Sequence, residues 1–304
     1  MPICRILSAV CLLCVWVGTA AAQPTADTLT SIKDNTLIQD AAGALSNGAG
    51  QHFFAGRTGF TNEFRRGLIA FDLTGIPIDN SIDSVKLILN MSRTIAANQL
   101  VRIHRVTANW GEGTSDAPAQ EGGGAASTTD DATWLHTFYD TAQWASLGGD
   151  FIATASATTT VGNVGFYTWG STAAMVTDVT GWRDDPSTNF GWIVIGNEAV
   201  QTTAKRFDTR ENPIPANRPT LIVFHSPPVV ACCIGTAGDF NNDAIEADPI
   251  DLSYLVDFLF AGGPGIVCPE EGDINGDSVT ADPIDLSYLV DFLFAGGPGP
   301  TACP

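Results

Sequence analysis

The chain has 304 residues, of which 44% are apolar and 15% are charged, so it contains enough apolar residues to build folded cores. It carries 33 Asp and Glu against 14 Lys and Arg, a formal net charge of −19. This charge argues against nucleic acid or an anionic membrane surface as a partner. The length predicts about two domains, and the many Gly and Pro indicate a mainly β body rich in turns.

Residues 1–22 have the pattern of a secretory signal peptide. Arg5 supplies a positive charge, residues 6–17 form a short apolar stretch, and residues 20–22 offer a cleavage site of small residues. The apolar stretch is shorter than the roughly 20 residues that a membrane-spanning helix needs. We therefore expect an exported protein, secreted or at the cell surface, with an uncleaved membrane anchor as the alternative.

Residues 23–226 show the alternation of apolar and polar residues that is typical of β-strands. The alternation is clearest at 85–91 and 100–106, and a shorter apolar run bounded by turn residues follows at 220–225. No segment of this region keeps a 3.6-residue period. Many short strands of this kind predict a β-sandwich or a barrel.

The order of several motifs in this region is more specific than any one of them. The motifs are Arg66-Gly-Leu-Ile-Ala-Phe-Asp-Leu73, Val101-Arg-Ile-His-Arg-Val-Thr107, Trp110-Gly-Glu-Gly113, Val176-Thr-Asp-Val179, Arg206-Phe-Asp-Thr-Arg-Glu-Asn-Pro213 and Arg218-Pro-Thr-Leu-Ile-Val223. Together they resemble the DNRLRE domain family, also described as carbohydrate-binding module family 96. The resemblance implies a jelly-roll-like β-sandwich on a secreted protein that binds polysaccharide. One departure is Thr209, where the family usually has Ser.

Aromatic side chains are the candidates for sugar binding, because a flat ring can pack on the apolar face of a pyranose. Trp134, Tyr139 and Trp144 are the best candidates, since they lie among polar residues between Gly113 and Phe166, the stretch that matches the family least. The alternative is that they pack in the core. We expect core packing for the tryptophans within or beside strand motifs, which are Trp110, Trp182 and Trp192.

A predicted linker at 227–236 leads to an acidic tail domain, residues 237–304. Residues 232–304 contain 13 Asp and Glu and no Lys or Arg, so this stretch would repel itself unless cations neutralise it. Its four cysteines predict structural disulfides rather than a zinc site, and their pairing is open. They are Cys232, Cys233, Cys268 and Cys303.

Residues 238–265 and 272–299 are two copies of one repeat, offset by 34 residues and different at 5 of 28 positions. Each copy has an Asp-x-Asn-x-Asp loop, then a helical apolar pattern that ends at Gly-Gly-Pro. Ca²⁺ takes oxygen ligands of this kind, and two further Asp lie where the helix begins. The predicted ligands of two Ca²⁺ ions are Asp239, Asn241, Asp243, Asp248, Asp251, Asp273, Asn275, Asp277, Asp282 and Asp285.

This duplicated pattern resembles the type I dockerin repeat. The resemblance implies a small α-helical, EF-hand-like calcium domain that docks onto a cohesin domain through its helices. Two features depart from the family: Ala244 and Ser278 stand where it has Gly, and the last two acids lie one residue later. A metal-free helical hairpin with Asp caps is the alternative. The expected docking residues, with ordinary helix surface as the alternative, are Ser253, Tyr254, Ser287 and Tyr288.

The sequence therefore predicts a secreted, non-catalytic modular protein that binds polysaccharide through its β domain and a cohesin-like partner through its tail. We find no Gly-x-Ser-x-Gly or His-Glu-x-x-His motif. One alternative is a polysaccharide-degrading enzyme, with acids from the pairs Asp130/Asp131 or Asp184/Asp185. Another is a structural or adhesive surface protein.

Overall fold

The structure of the protein is a computed structural model. It describes residues 24–59, 63–228 and 232–303. The predicted signal peptide, residues 1–22, lies outside the described residues. The chain divides into two compact units, Gln23–Pro228 and Val229–Pro304, which we call the β unit and the tail unit.

The described part of the β unit consists mainly of strands. They are β1 (Thr25–Ile38), β2 (Leu45–Ser46), β3 (His52–Arg57), β4 (Phe64–Phe71), β5 (Ser81–Thr94), β6 (Gln99–Arg105), β7 (Ala125–Ala126), β8 (His136–Phe138), β9 (Ala142–Gln143), β10 (Ala157–Val161), β11 (Gly165–Trp169), β12 (Trp192–Ile195), β13 (Lys205–Asp208) and β14 (Thr220–Ser226). The prediction of a mainly β body is confirmed.

Six strands form a closed circuit of hydrogen bonds, in the order β1, β14, β5, β13, β3, β4 and back to β1. β1 pairs with β14 through residues 25–30 and with β4 through residues 31–38, and a register shift between Ser31 and Lys33 marks the change of partner. β12, β6 and β10 extend the sheet from β4, and β11 pairs with β5. The architecture is therefore a six-stranded barrel with additional strands.

Alternating residues of the strands fill the main core of the β unit. Val85, Leu87, Leu89 and Met91 of β5 are all fully buried, as their alternation predicts. Burying one such side chain contributes about 1.5–3 kcal/mol relative to exposure.

A second core lies on the opposite face of β4 and β12. Leu68 and Ile193 belong to it, whereas their neighbours Ile69 and Trp192 belong to the main core. Three tryptophans from the long connection between β6 and β10 complete this second core: Trp110, Trp134 and Trp144.

One helix in the β unit, α1 (Ala173–Asp184), was not predicted. It begins at Thr172, whose hydroxyl accepts a hydrogen bond from Met175 N, and it buries Met175, Val179 and Trp182. These positions have helical spacing, but Thr and Gly residues between them weaken the period. The helix packs these three side chains into the main core.

The tail unit contains two short helices, α2 (Pro249–Val256) and α3 (Pro283–Val290). Each continues into one turn of π-helix and ends at a glycine with φ 72°, Gly262 or Gly296, so the predicted stop signals are confirmed. The two repeats share one core. Its buried members are Phe240, Ala247, Leu255, Ile274, Ala281 and Leu289.

Two disulfides cross-link the tail unit, one between its two ends and one from its first residues to the segment between the repeats, which settles the pairing that the sequence left open. Cys232 is bonded to Cys268 and Cys233 to Cys303, each with a Cα–Cα distance of 5.6 Å. Thr236 also pairs with Ala302 as an isolated β-bridge. Residues 232–236, predicted as part of a linker, are therefore tied into the tail unit.

Candidate functional site

The first Asp of each acidic loop organises the loop backbone around its own carboxylate. Asp239 accepts hydrogen bonds from the backbone N–H of Asp243 at 3.0 Å and of Ala244 at 2.8 Å. Asp273 makes the equivalent pair of bonds in the second loop, both at 2.9 Å. The two loops therefore share one geometry, in keeping with their near-identical sequences.

Each loop makes a tight turn at its sixth position, although the residue there is not glycine. Ala244 and Ser278 adopt the left-handed conformation, with φ 67° and 68°. That conformation costs an L-residue roughly 1–2 kcal/mol. The hydrogen bond that each N–H donates to the first carboxylate of its loop offsets part of this cost.

The last two acids of each loop begin the helix that follows. Asp248 accepts hydrogen bonds from Ile250 N and Asp251 N, and Asp251 accepts one from Asp248 N, which is a reciprocal capping box. Asp282 and Asp285 form the same box at α3. These carboxylates thus lie at the positive end of each helix dipole.

The final acid also reaches back toward its loop. Asp251 Oδ1 accepts hydrogen bonds from Phe240 N at 2.9 Å and Asn241 N at 3.3 Å. Two oxygens in these loops, Asp285 Oδ1 and Asn241 Oδ1, are buried and have no hydrogen-bond partner. An unpartnered buried oxygen is costly, and a bound cation would satisfy it, so the donor set fits a hard metal ion.

Burial places an uncompensated charge in each loop. Asp251 and Asp285 are fully buried. Burial is the main cause that raises the pKa of each carboxyl to about 6; hydrogen bonds from backbone N–H groups oppose this rise, and the nearby charges of Asp248 and Asp282 contribute to it. No Lys or Arg occurs in residues 232–304 to supply a counter-charge. A proton or a cation would therefore stabilise the buried carboxyl of each loop.

The described part of the chain contains three groups of three potential metal ligands, and within each group the ligand atoms lie within 4.8 Å of one another. Two of them combine disulfide cysteines with Glu270 or Glu271, and a disulfide sulfur is not a thiolate ligand. The third is in the β unit and consists of Asp34, Glu112 and Glu211. The predicted loop carboxylates do not converge that closely. The chain thus contains acidic groups that could hold a metal ion.

The helices of the tail unit expose apolar side chains in equivalent pairs. Ile250 and Ile284 are both 59% exposed, and Phe260 and Phe294 are 67% and 68% exposed. Val256 and Val290 form a third exposed pair. We call these six residues the paired apolar face. The sequence did not predict this face, although Ile250 lies three residues before the predicted docking residue Ser253 and is its neighbour on the helix.

The predicted docking residues fall into two classes. Ser253 and Ser287 are exposed beside the paired apolar face. Tyr254 and Tyr288 are half-buried against the tail core, and their hydroxyls donate to Gly265 O at 3.1 Å and to the equivalent glycine of the second repeat at 2.9 Å. The tyrosines therefore hold the segment after each helix.

The predicted sugar platform does not form, because two of its rings are buried. Trp134 and Trp144 are 7% and 6% exposed in the second core of the β unit. The Arg66 guanidinium lies 4.8 Å from the Trp134 ring centroid. Tyr139 is half-buried with its ring edge-on to His136 at 5.4 Å. Both tryptophans therefore pack in the core, which was the alternative expectation.

A cavity of about 640 Å³ in the β unit is a better place for a ligand. Arg93 and Arg206 line it, and both donate to Gln120 Oε1, at 2.6 and 2.8 Å. No ion pair joins either guanidinium to a carboxylate within the described residues. Phe54 and the highly exposed Ile95 add apolar surface. The sequence offered no signal for this site, because its residues come from separate strands and loops.

The acids considered for an enzyme are Asp130, Asp131, Asp184 and Asp185. Asp131 is buried and accepts a hydrogen bond from Thr128 N at 2.6 Å. Asp185 accepts one from Ser187 N, and Asp184 forms an ion pair with Arg183. These contacts give Asp131 and Asp185 a local role in holding turns, and Asp184 pairs with its neighbour in the chain.

Within the described residues, no helix has the length and hydropathy that crossing a membrane requires. Comparison of the chain with protein-family models and with curated protein sequences found no match.

Proposed function

We propose that the tail unit is a dockerin-like, calcium-binding docking module of a secreted, non-catalytic modular protein. The observation that carries the proposal is the pair of equivalent loops, each with a fully buried carboxylate and no cationic side chain in residues 232–304. Two cations would neutralise both loops. The cross-linked cysteines agree with export, since disulfides persist in oxidising compartments.

All ten residues predicted as ligands supply carboxylate or amide oxygen, the chemistry that Ca²⁺ prefers. Those from each loop and from the start of the following helix would hold one ion between them. Bound Ca²⁺ supplies the positive charge that the tail unit lacks. It would hold each loop against the helix whose paired apolar face is offered to a cohesin-like partner. A structural or adhesive role, with calcium only stiffening the tail, is the alternative.

The test is calorimetric titration of the full-length protein with Ca²⁺. We expect two binding events in residues 232–303 that disappear in a variant with Asp251→Asn and Asp285→Asn. We also expect a chelator at pH 7 to lower the melting temperature of the helical circular-dichroism signal of α2 and α3 while the β unit stays folded, because metal binding is linked to the folding of such sites.

The matched control is Asp257→Asn with Asp291→Asn, which removes the same charge from exposed positions on the same helical segments. The control should bind Ca²⁺ as the natural protein does. Retention of both events in the Asp251/Asp285 variant, or a melting temperature of the helical signal that chelator does not change, would refute the proposal.

We further propose that the β unit, which we assign to a jelly-roll-like carbohydrate-binding type, binds an acidic polysaccharide. The cavity supports this second function, since two guanidinium groups without ion pairs lie beside apolar surface. Guanidinium groups bind carboxylates in bidentate fashion, and apolar surface suits the face of a sugar ring. A polysaccharide-degrading enzyme is the alternative.

Affinity electrophoresis in polygalacturonate and in a neutral glucan tests this function. We expect retardation by polygalacturonate alone and weaker retardation at high salt. Arg93→Gln should weaken binding at least about tenfold, because a hydrogen bond to a charged group is lost. The control Arg102→Gln removes the same charge away from the cavity lining and should bind normally. Equal retardation in the neutral gel would count against this site, and release of reducing sugar would favour the enzyme.

A further inference from the structure

A cluster of three carboxylates in the β unit has no assigned role in the proposed function. Asp34 lies in β1, Glu112 in the connection after β6, and Glu211 in the segment after β13. One carboxylate oxygen from each of them lies within 4.8 Å of the other two. The barrel thus brings together acids that are far apart in the sequence.

The cluster has more negative than positive charge. Arg210 is its closest cation and donates to Glu112 Oε1 at 2.8 Å and Oε2 at 2.5 Å, and it pairs with Glu211 Oε1 at 2.9 Å. The ammonium of Lys33 interacts electrostatically with Glu112 but makes its hydrogen bonds elsewhere. It donates to Trp110 O at 2.7 Å and lies 4.2 Å from the centroid of the Trp110 ring. One guanidinium therefore faces three carboxylates.

Two oxygens of the cluster are buried and have no hydrogen-bond partner. Asp34 is fully buried; its Oδ2 accepts hydrogen bonds from Arg210 N at 3.0 Å and Ser31 Oγ at 3.3 Å, but its Oδ1 accepts none. Glu211 Oε2 is also buried and unpartnered. Burial raises the pKa of Asp34 well above its ordinary value and also raises that of Glu211. These oxygens need a ligand that accepts their lone pairs.

We propose that Asp34, Glu112 and Glu211 hold a hard divalent cation, Ca²⁺, at a site in the β unit separate from the tail loops. The donor set is entirely oxygen and contains neither His nor thiolate, which excludes the usual ligands of zinc and copper. Ca²⁺ tolerates irregular oxygen coordination better than Mg²⁺ does. The ion would fasten β1 to the two segments that carry the glutamates.

The distribution of tryptophan allows this site to be measured in the full-length protein. All tryptophans precede residue 193, so the tail unit has none. Trp110 accepts a hydrogen bond from Lys33, the neighbour of Asp34 in the chain. Tryptophan-sensitised luminescence of Tb³⁺, a Ca²⁺ substitute, therefore reports ions in the β unit.

We expect saturable Tb³⁺ luminescence under tryptophan excitation, and we expect Ca²⁺ to displace it. Asp34→Asn and, separately, Glu211→Gln should raise the concentration for half-maximal luminescence by at least about tenfold. The control Asp79→Asn, an exposed acid of the same unit, should leave it unchanged. Tryptophan fluorescence during heating provides the second readout: Ca²⁺ should raise the melting temperature of the natural β unit but not that of either variant.

Two results would overturn the site. One is the absence of both sensitised luminescence and a Ca²⁺-dependent melting temperature in the natural protein, which would show that protons neutralise the cluster. The other is natural Tb³⁺ affinity in folded Asp34→Asn and Glu211→Gln proteins, which would place the ion elsewhere. Both outcomes are distinct from failure of the tail sites, which the Asp251→Asn and Asp285→Asn variant tests separately.

Discussion

At the scale of single residues, Asp251 and Asp285 each combine a structural and a chemical role. Each completes the capping box of its helix, yet each is buried without a cationic neighbour in the tail unit. A carboxyl in this position is stabilised by protonation or by a metal ion. Stabilisation by protonation decreases as pH rises, whereas stabilisation by a bound metal ion increases.

The stability of the metal-free tail unit should fall as pH rises. The pKa of each carboxyl rises from an ordinary 3.8 to about 6 in the folded protein, so between these values the folded state binds more protons than the unfolded state. In chelator, the melting temperature of the helical signal should therefore be higher at pH 4 than at pH 7. With excess Ca²⁺ the order should reverse, because protons compete with the ion.

Asn substitutions at both positions should flatten the pH dependence measured in chelator. The exposed pair Asp257 and Asp291, changed in the same way, should leave most of it in place. A metal-free melting temperature that rises from pH 4 to pH 7 would contradict this account of the buried carboxyls.

At the scale of elements, α2 and α3 present the same apolar residues twice. The exposed fractions of Ile250 and Ile284 are equal, and those of Phe260 and Phe294 differ by one percentage point. A partner that binds one repeat can therefore bind the other in an equivalent way. The type I dockerin resemblance implies such a choice of two orientations.

Removal of one phenylalanine should have little effect on docking, and removal of both should have a large one. Phe260→Ser or Phe294→Ser alone leaves one orientation intact, so affinity for a cohesin domain in Ca²⁺ should fall about twofold. The double variant should lose about 30-fold or more, since an interface anchor contributes 2 kcal/mol or more. Surface plasmon resonance measures both.

Ile78→Ser, at an exposed apolar position of the β unit, is the control and should bind normally. Loss of binding in one single variant would show that only one orientation is used. Normal binding by the double variant would show that the partner contacts another surface.

Elements could be predicted from the sequence where one local signal dominates. The alternation at 85–91 marks the fully buried side chains of β5, and the ends of both tail helices are marked by Gly-Gly-Pro. α1 was missed because only Met175, Val179 and Trp182 carry its apolar period. The burial of Trp134 was left open, since it depends on a long connection that covers the outer face of β4.

At the scale of the whole molecule, the sequence predicted features confined to a short segment and missed those that the fold assembles. The loop acids lie within thirteen residues of one another and were recognisable as a set. Asp34, Glu112 and Glu211 are separated by two long stretches of chain, and only the closed barrel brings them together. The disulfide pairing was likewise undetermined by spacing alone.

The disulfide that joins the two ends of the tail unit determines how the unit would respond to mechanical force. Cys233 and Cys303 are 70 residues apart in the chain, a stretch that could extend to about 230 Å if it unravelled. Their cross-link holds the two Cα atoms at 5.6 Å. If a molecule bound to the helices were pulled away from the β unit, this covalent link would limit how far the two repeats could extend. The distance between the β unit and the bound molecule would therefore change little under the force of flowing water or a moving surface.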